Sequence, residues 1–160
     1  MAYSSKWLRF QQAAEEFFTS RYELQQDKDV LVNDLRQALA SPPTRQTALE
    51  LLVYMHPDVS LLLPLLDELL AIALDSGDLT AIGLAREVVV KYQAASTLRT
   101  TIPFSISKYL AAHDQWHYRR IAELYELLDY KEELAEFLGL CQASPNVEIQ
   151  EIKDDFSSFL

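Results

Sequence analysis

Two histidines four residues apart, His113 and His117, are the first side chains whose types and spacing could do chemistry. On a helix this spacing puts both imidazoles on one side, where zinc could join them given a third ligand and a supporting carboxylate. The residues between them are Asp-Gln-Trp, so the His-Glu-x-x-His pattern of a helical hydrolase site is absent. His117 also shares a side with Ile121, Leu124 and Leu128, which predicts a partly buried structural histidine. No metal and no other cofactor is expected. Cys141 falls on an apolar face with Leu134, Phe137 and Leu138, where a cysteine behaves as a small hydrophobe; a catalytic thiol needs an electropositive, accessible setting. Three glycines cannot build a phosphate-cradling loop, and paired-carboxylate catalysis needs a spatial convergence that spacing alone does not show. The chain is therefore expected not to be an enzyme.

The cluster Trp116, Arg119, Arg120, Glu123 and Leu127 points to binding instead. With Ile121 toward a core, a step of 100° per residue puts Trp116, Arg120, Glu123 and Leu127 on the flank away from it. Tryptophan and arginine are enriched at protein-binding hot spots. The competing reading is internal: Trp116 packs on a neighbouring hairpin with Arg120 stacked on it, and Arg119 pairs with Glu123 one turn on.

Charge gives this reading a direction. The chain of 160 residues carries a formal charge of −10, distributed as −1 over residues 1–36, −1 over 37–122 and −8 over 123–160, where ten acids face only Lys131 and Lys153. An acidic third of this kind argues against nucleic acid, whose phosphates need the opposite sign, and permits a basic protein partner. A solvated face that maintains solubility would look the same. Glu148, Glu151 and Asp155 line one side of the last predicted helix beside Ile149, Ile152 and Phe156. Glu132, Glu133 and Glu136 lie opposite Leu134, Leu138 and Cys141. Glu148, Glu151 and Asp155 join Trp116, Arg120 and Glu123 as candidate partner-binding residues.

The elements that must position these residues are helical. Apolar residues recur at helical spacing in Trp7, Phe10, Ala14 and Phe17, in Leu31, Leu35 and Leu39, and in Ala48, Leu51, Leu52 and Met55. Above about 60 % helix with no sheet is expected, well beyond the ordinary share. The stretches Leu61–Leu74 and Leu79–Tyr92 are apolar almost all round, which places them at the centre of the fold. Breakers fall near Ser41, Ser76, His113 and Ser144, at intervals of 35, 37 and 31 residues, with further turns near Pro57, Ala94–Pro103 and Asp129. Ala94–Pro103, rich in Thr and Ser, is expected to be the longest loop. No run is long and apolar enough for a membrane span. With one cysteine and no charged start leading into an apolar run, a cytoplasmic setting is expected.

Helix-turn-helix units at this interval, each unable to bury its apolar face alone, are the mark of stacked hairpins. The stretch Leu138-Gly-Leu-Cys-Gln-Ala-Ser144-Pro145-Asn-Val-Glu-Ile149-Gln-Glu-Ile152 resembles the turn of a HEAT repeat, as does Leu35–Leu52 through Ser41-Pro42 and, more loosely, Leu70–Val88 through Ser76-Gly77. The interval is shorter than the ~40–47 residues usual for HEAT repeats and closer to a tetratricopeptide repeat, whose fixed small and aromatic positions are absent. The segment Tyr118-Arg119-Arg120-Ile-Ala-Glu123-Leu-Tyr-Glu126-Leu-Leu-Asp-Tyr, running on to Asp154-Asp155-Phe156, is similar to the C-terminal half of small helical immunity proteins that neutralise bacterial toxins. These resemblances imply an all-α fold of eight or nine helices: a short stack of antiparallel hairpins forming one domain. A capping helix (1–27) would precede hairpins at 28–57, 58–94, 103–129 and 130–157. The expected role is non-catalytic protein binding, as an immunity-type inhibitor of a basic partner. The alternatives are a general scaffold or adaptor, or a small-molecule-binding or enzymatic helical protein.

Overall fold

The computed structural model describes residues 3–160, and 82 % of these are helical, with no strand among them. Ten α-helices follow one another: α1 (Ser5–Leu24), α2 (Lys28–Ala40), α3 (Pro42–Met55), α4 (Val59–Leu62), α5 (Leu66–Asp75), α6 (Leu79–Val90), α7 (Ser96–Leu110), α8 (Gln115–Leu127), α9 (Lys131–Gln142) and α10 (Val147–Phe156). Setting aside the single turn α4, nine full-length helices remain.

Helix starts are written in local chemistry. Ser4, Asp27, Asp78, Asp114 and Asn146 each accept a hydrogen bond from backbone N–H groups of the first turn that would otherwise lack partners. Pro42 and Pro43 open α3, where their missing N–H groups cost nothing. Glycine does not make the sharp turns. His56, His113 and Asp129 take the left-handed conformation, at φ of 48°, 47° and 54°, where the chain leaves α3, α7 and α8.

The core runs through the middle helices. Leu65, Leu66, Leu69, Leu70, Ala73 and Leu74 are fully buried, because α5 packs against α2, α6, α7 and α8. Helix α6 also packs on α3, and α8 packs on α9 and α10, so neighbouring pairs cover one another from α2 to α10. The apolar stretch before Asp75 is not one helix. Pro64 sits in a 3-10 turn (Leu63–Leu65) between α4 and α5, and Arg36 donates to its carbonyl at 2.7 Å and to Glu68 at 2.9 Å.

The expected loop at Ala94–Pro103 is instead the start of α7. Leu98, Ile102 and Ile106, four residues apart, are all buried, and this stripe outweighs the local signals against helix. Thr100 and Thr101 turn their hydroxyls onto the carbonyls of Ser96 and Thr97, so their polar groups are satisfied within the helix. Pro103 lies inside the helix at the loss of one backbone hydrogen bond.

The expected apolar stripe of the N-terminal segment does form a helix, but α1 contributes no residue to the core. Helical spacing fixes conformation; burial needs a partner surface that the rest of the described chain does not supply.

Candidate functional site

The flank of α8 comes apart into separate roles. Trp116 is 64 % exposed and Leu127 48 % exposed, as a surface flank requires. Arg120 points inward: its Nη1 donates to the carbonyls of Leu74 at 2.9 Å and Ser76 at 3.0 Å, satisfying the C-terminal end of α5. Glu123 accepts from Arg86 of α6 at 2.7 Å. Arg119 reaches Asp155 of α10 at 2.6 Å rather than Glu123, and its guanidinium lies 6.0 Å from the centre of the Phe156 ring. Neither the stacking of Arg120 on Trp116 nor the Arg119–Glu123 pair is present. Helical spacing alone could not reveal this, because the carbonyls at the end of α5 and the acids of α10 are stronger competitors brought in by the tertiary fold.

The acidic helices divide in the same way. On α10, Glu148, Glu151 and Asp154 are exposed and form no ion pair among the described residues, whereas Asp155 is held by Arg119. On α9, Glu132 and Glu133 are both held by Arg99 of α7, at 3.0 and 2.5 Å, while Glu136 is exposed. The hydrogen bond from Arg99 holds the Glu133 carboxyl below the usual carboxylate range. Glu126, Asp129 and Glu136 form no ion pair among the described residues either, so α10, packed against the helix that presents Trp116, carries three of the six unpaired acids of residues 123–160.

His117 Nε2 lies 2.9 Å from Asp75 Oδ1, and its Nδ1 is the same distance from Asp114 Oδ2 without hydrogen-bond alignment. Its ring packs on Tyr109, and His113 stacks on Tyr118 instead of converging with it. No group of three or more potential metal ligands exists among the described residues. Cys141 is fully buried, and burial pushes its thiol up to about 11. Native protein at pH 8 is accordingly expected to react with a colorimetric disulfide reagent about 100-fold more slowly than denatured protein, following the thiolate fraction at a pKa of about 11 against 9. Equal rates in the two states would show that Cys141 is accessible.

The densest run of exposed large apolar side chains lies elsewhere, in residues 3–24. Tyr3 precedes α1, and Trp7, Phe10, Phe17, Phe18 and Tyr22 lie along it, each between 44 and 72 % exposed. At 100° per residue the five rings on the helix fall within about 140° of arc. The helix meets the body where Phe17 sits edge-on to Tyr54 of α3 and Arg21 covers the Tyr54 ring at 5.3 Å. A cleft of about 640 Å³ opens there, lined by Phe10, Ala14, Phe17, Leu24, Leu51 and Tyr54 among others. The sequence did carry a signal for this surface: Phe18 and Tyr22 widen the Trp7–Phe10–Ala14–Phe17 stripe beyond what one neighbouring helix covers.

Fold and surface together define an all-α protein with two separate exposed features, an acidic C-terminal helix beside an exposed tryptophan and an aromatic N-terminal helix. No protein-family model, no curated protein and no solved structure matches the chain. No helix among the described residues is long and apolar enough to cross a membrane.

Proposed function

We propose that this chain is a non-catalytic protein-binding module that covers a basic surface on its partner, in the manner of an immunity-type stoichiometric inhibitor built on HEAT-like hairpins. The observation that carries the reading is the unpaired acid of α10. Glu148, Glu151 and Asp154 stand free in solvent on a helix packed against α8, which exposes Trp116. Unneutralised charge of one sign steers encounter with the opposite sign and enforces choice of partner, while an exposed aromatic supplies the anchor. Arg120 and Glu123 are engaged by α5 and α6, and Asp155 by Arg119, so these three are held within the fold and the free acids carry the reading. A scaffold role is favoured by a different observation, the aromatic surface of α1 as a second, separate place for contact.

The test is affinity capture from the native host with the wild-type chain and with the variant E148K/E151K/D154K, each checked for its helical spectrum. The expected result is one basic protein retained at one-to-one stoichiometry by wild type and released by salt. Its association with the variant is expected to be about tenfold slower or more. Several unrelated partners would favour the scaffold. A partner that associates with both chains at the same rate, with the same salt dependence, would overturn the acidic-face reading.

A further inference from the structure

We infer that the aromatic face of α1 is a self-association surface, on which α1 of a second copy of this chain lies antiparallel. An aromatic side chain carries about 150–250 Å² of surface. Tyr3, Trp7, Phe10, Phe17, Phe18, Tyr22 and Tyr54 are each roughly half exposed or more. Together they leave about 600–1,000 Å² of aromatic surface open, before Leu8 and Leu24 are included. A stable interface buries about 800 Å² on each partner, whereas the largest apolar patch on a typical monomer is about 300–600 Å². The range brackets what a stable dimer buries on each partner and lies at or above the largest patch of an ordinary monomer.

Its shape and polarity select the occupant. A helix of 20 residues is a rod about 30 Å long, and a second identical rod covers it along its whole length through a two-fold axis, the commonest symmetry of oligomers. The helix dipoles set the direction. The N-terminal half of α1 carries Lys6 and Arg9, and the C-terminal half carries Glu15, Glu16 and Glu23 with one base, Arg21. Arg9, Glu16 and Glu23 lie on the side of α1 away from the aromatic arc, so the direction rests on the helix dipoles, which antiparallel pairing opposes and parallel pairing aligns. Crossing near Ala14 brings Trp7 of one copy opposite Arg21 of the other, at the mouth of the cleft lined by Phe17, Leu24 and Tyr54. The ring would there meet a guanidinium that already lies over Tyr54. A lipid surface fits less well. Interfacial helices are rich in Lys and Arg on their polar face, whereas α1 has three bases against three acids.

Sedimentation velocity over a micromolar to sub-millimolar series tests this. Wild type is expected to form a dimer. Phe10→Glu and Phe18→Glu are each expected to weaken it about 30-fold or more, as befits hot-spot rings. Because α1 buries nothing in the core, both variants should match the helical spectrum and melting temperature of wild type when all are compared at a concentration where wild type is monomeric. Orientation is read by mixing Ser4→Cys and Gln25→Cys chains under oxidation. Crosslinks between position 4 and position 25 are expected, in excess over those joining two copies of position 4. A monomer at every concentration overturns the proposal. So does a dimer indifferent to Phe10→Glu and Phe18→Glu, or one crosslinked mainly between two copies of position 4. A monomer that binds vesicles of anionic phospholipid through Phe18 would assign the face to a membrane surface instead. E148K/E151K/D154K should dimerise as wild type does, so failure here leaves the C-terminal reading to stand or fall on its own test.

Discussion

Replacing Arg120 with alanine is expected to lower the stability of the fold by about 2–4 kcal/mol, since hydrogen bonds from a charged donor contribute about 1.5–3 kcal/mol each and the orphaned acceptors remain desolvated. Arg120 bridges the Leu74 and Ser76 carbonyls across the junction between α8 and the end of α5, from a partly buried position. Removing it leaves the carbonyls of the buried Leu74 and the half-buried Ser76 without this donor. For a chain of this size the loss corresponds to a drop in melting temperature of about 4–16 °C. Trp116→Ala, one turn earlier on an exposed site, should leave the melting temperature nearly unchanged. Thermal denaturation of the two variants decides between roles that the sequence alone assigned together. An Arg120→Ala protein that melts like wild type but binds its partner poorly would return Arg120 to the interface.

The second large effect is expected on the alkaline side. Burial raises the ionisation of Cys141 to about 11 from an ordinary 9.0, and raises Tyr92, Tyr109, Tyr118, Tyr125 and Tyr130 above the usual 10.0, Tyr125 furthest. Tyr118 and Tyr130 donate their hydroxyls to the carbonyls of Leu110 and Gln93, which favours the neutral form further. In the folded chain these groups stay protonated where the unfolded chain has begun to ionise. Stability is therefore fully present below pH 9, falls as the pH rises through 9 and 10, and continues to fall until the folded-state values are passed. Cys141 alone accounts for up to about 3 kcal/mol of this loss, at roughly 1.4 kcal/mol per pKa unit. Urea denaturation at a series of pH values should show the decline. Cys141→Ala, whatever its effect at neutral pH, should flatten the slope between pH 9 and 11. A slope identical to wild type would mean that Cys141 ionises in the folded protein as it does unfolded.

Helix type and position were legible in the chain because both are local. Ser41-Pro42, Asp78 and Ser144-Pro145-Asn146 mark their boundaries through caps and missing donors within a few residues. The stripe of Ile149, Ile152 and Phe156 names its own buried side. Ala94–Pro103 misled because its Thr, Ser and Pro act locally against helix, whereas the burial of Leu98, Ile102 and Ile106 depends on α5 and α8. The candidate site was legible only in part. Periodicity put Trp116, Arg120 and Glu123 on one flank, and it found the exposed Trp116 and the free Glu148 and Glu151. It could not find that Leu74 and Ser76 take Arg120, that Arg86 takes Glu123, or that Arg119 takes Asp155, since these partners are 36 or more residues away. The aromatic rings of α1 show the same division from the other side. Sequence determined that they share one face of a helix, and only the packing of α2 to α10 without them decided that this face stays open.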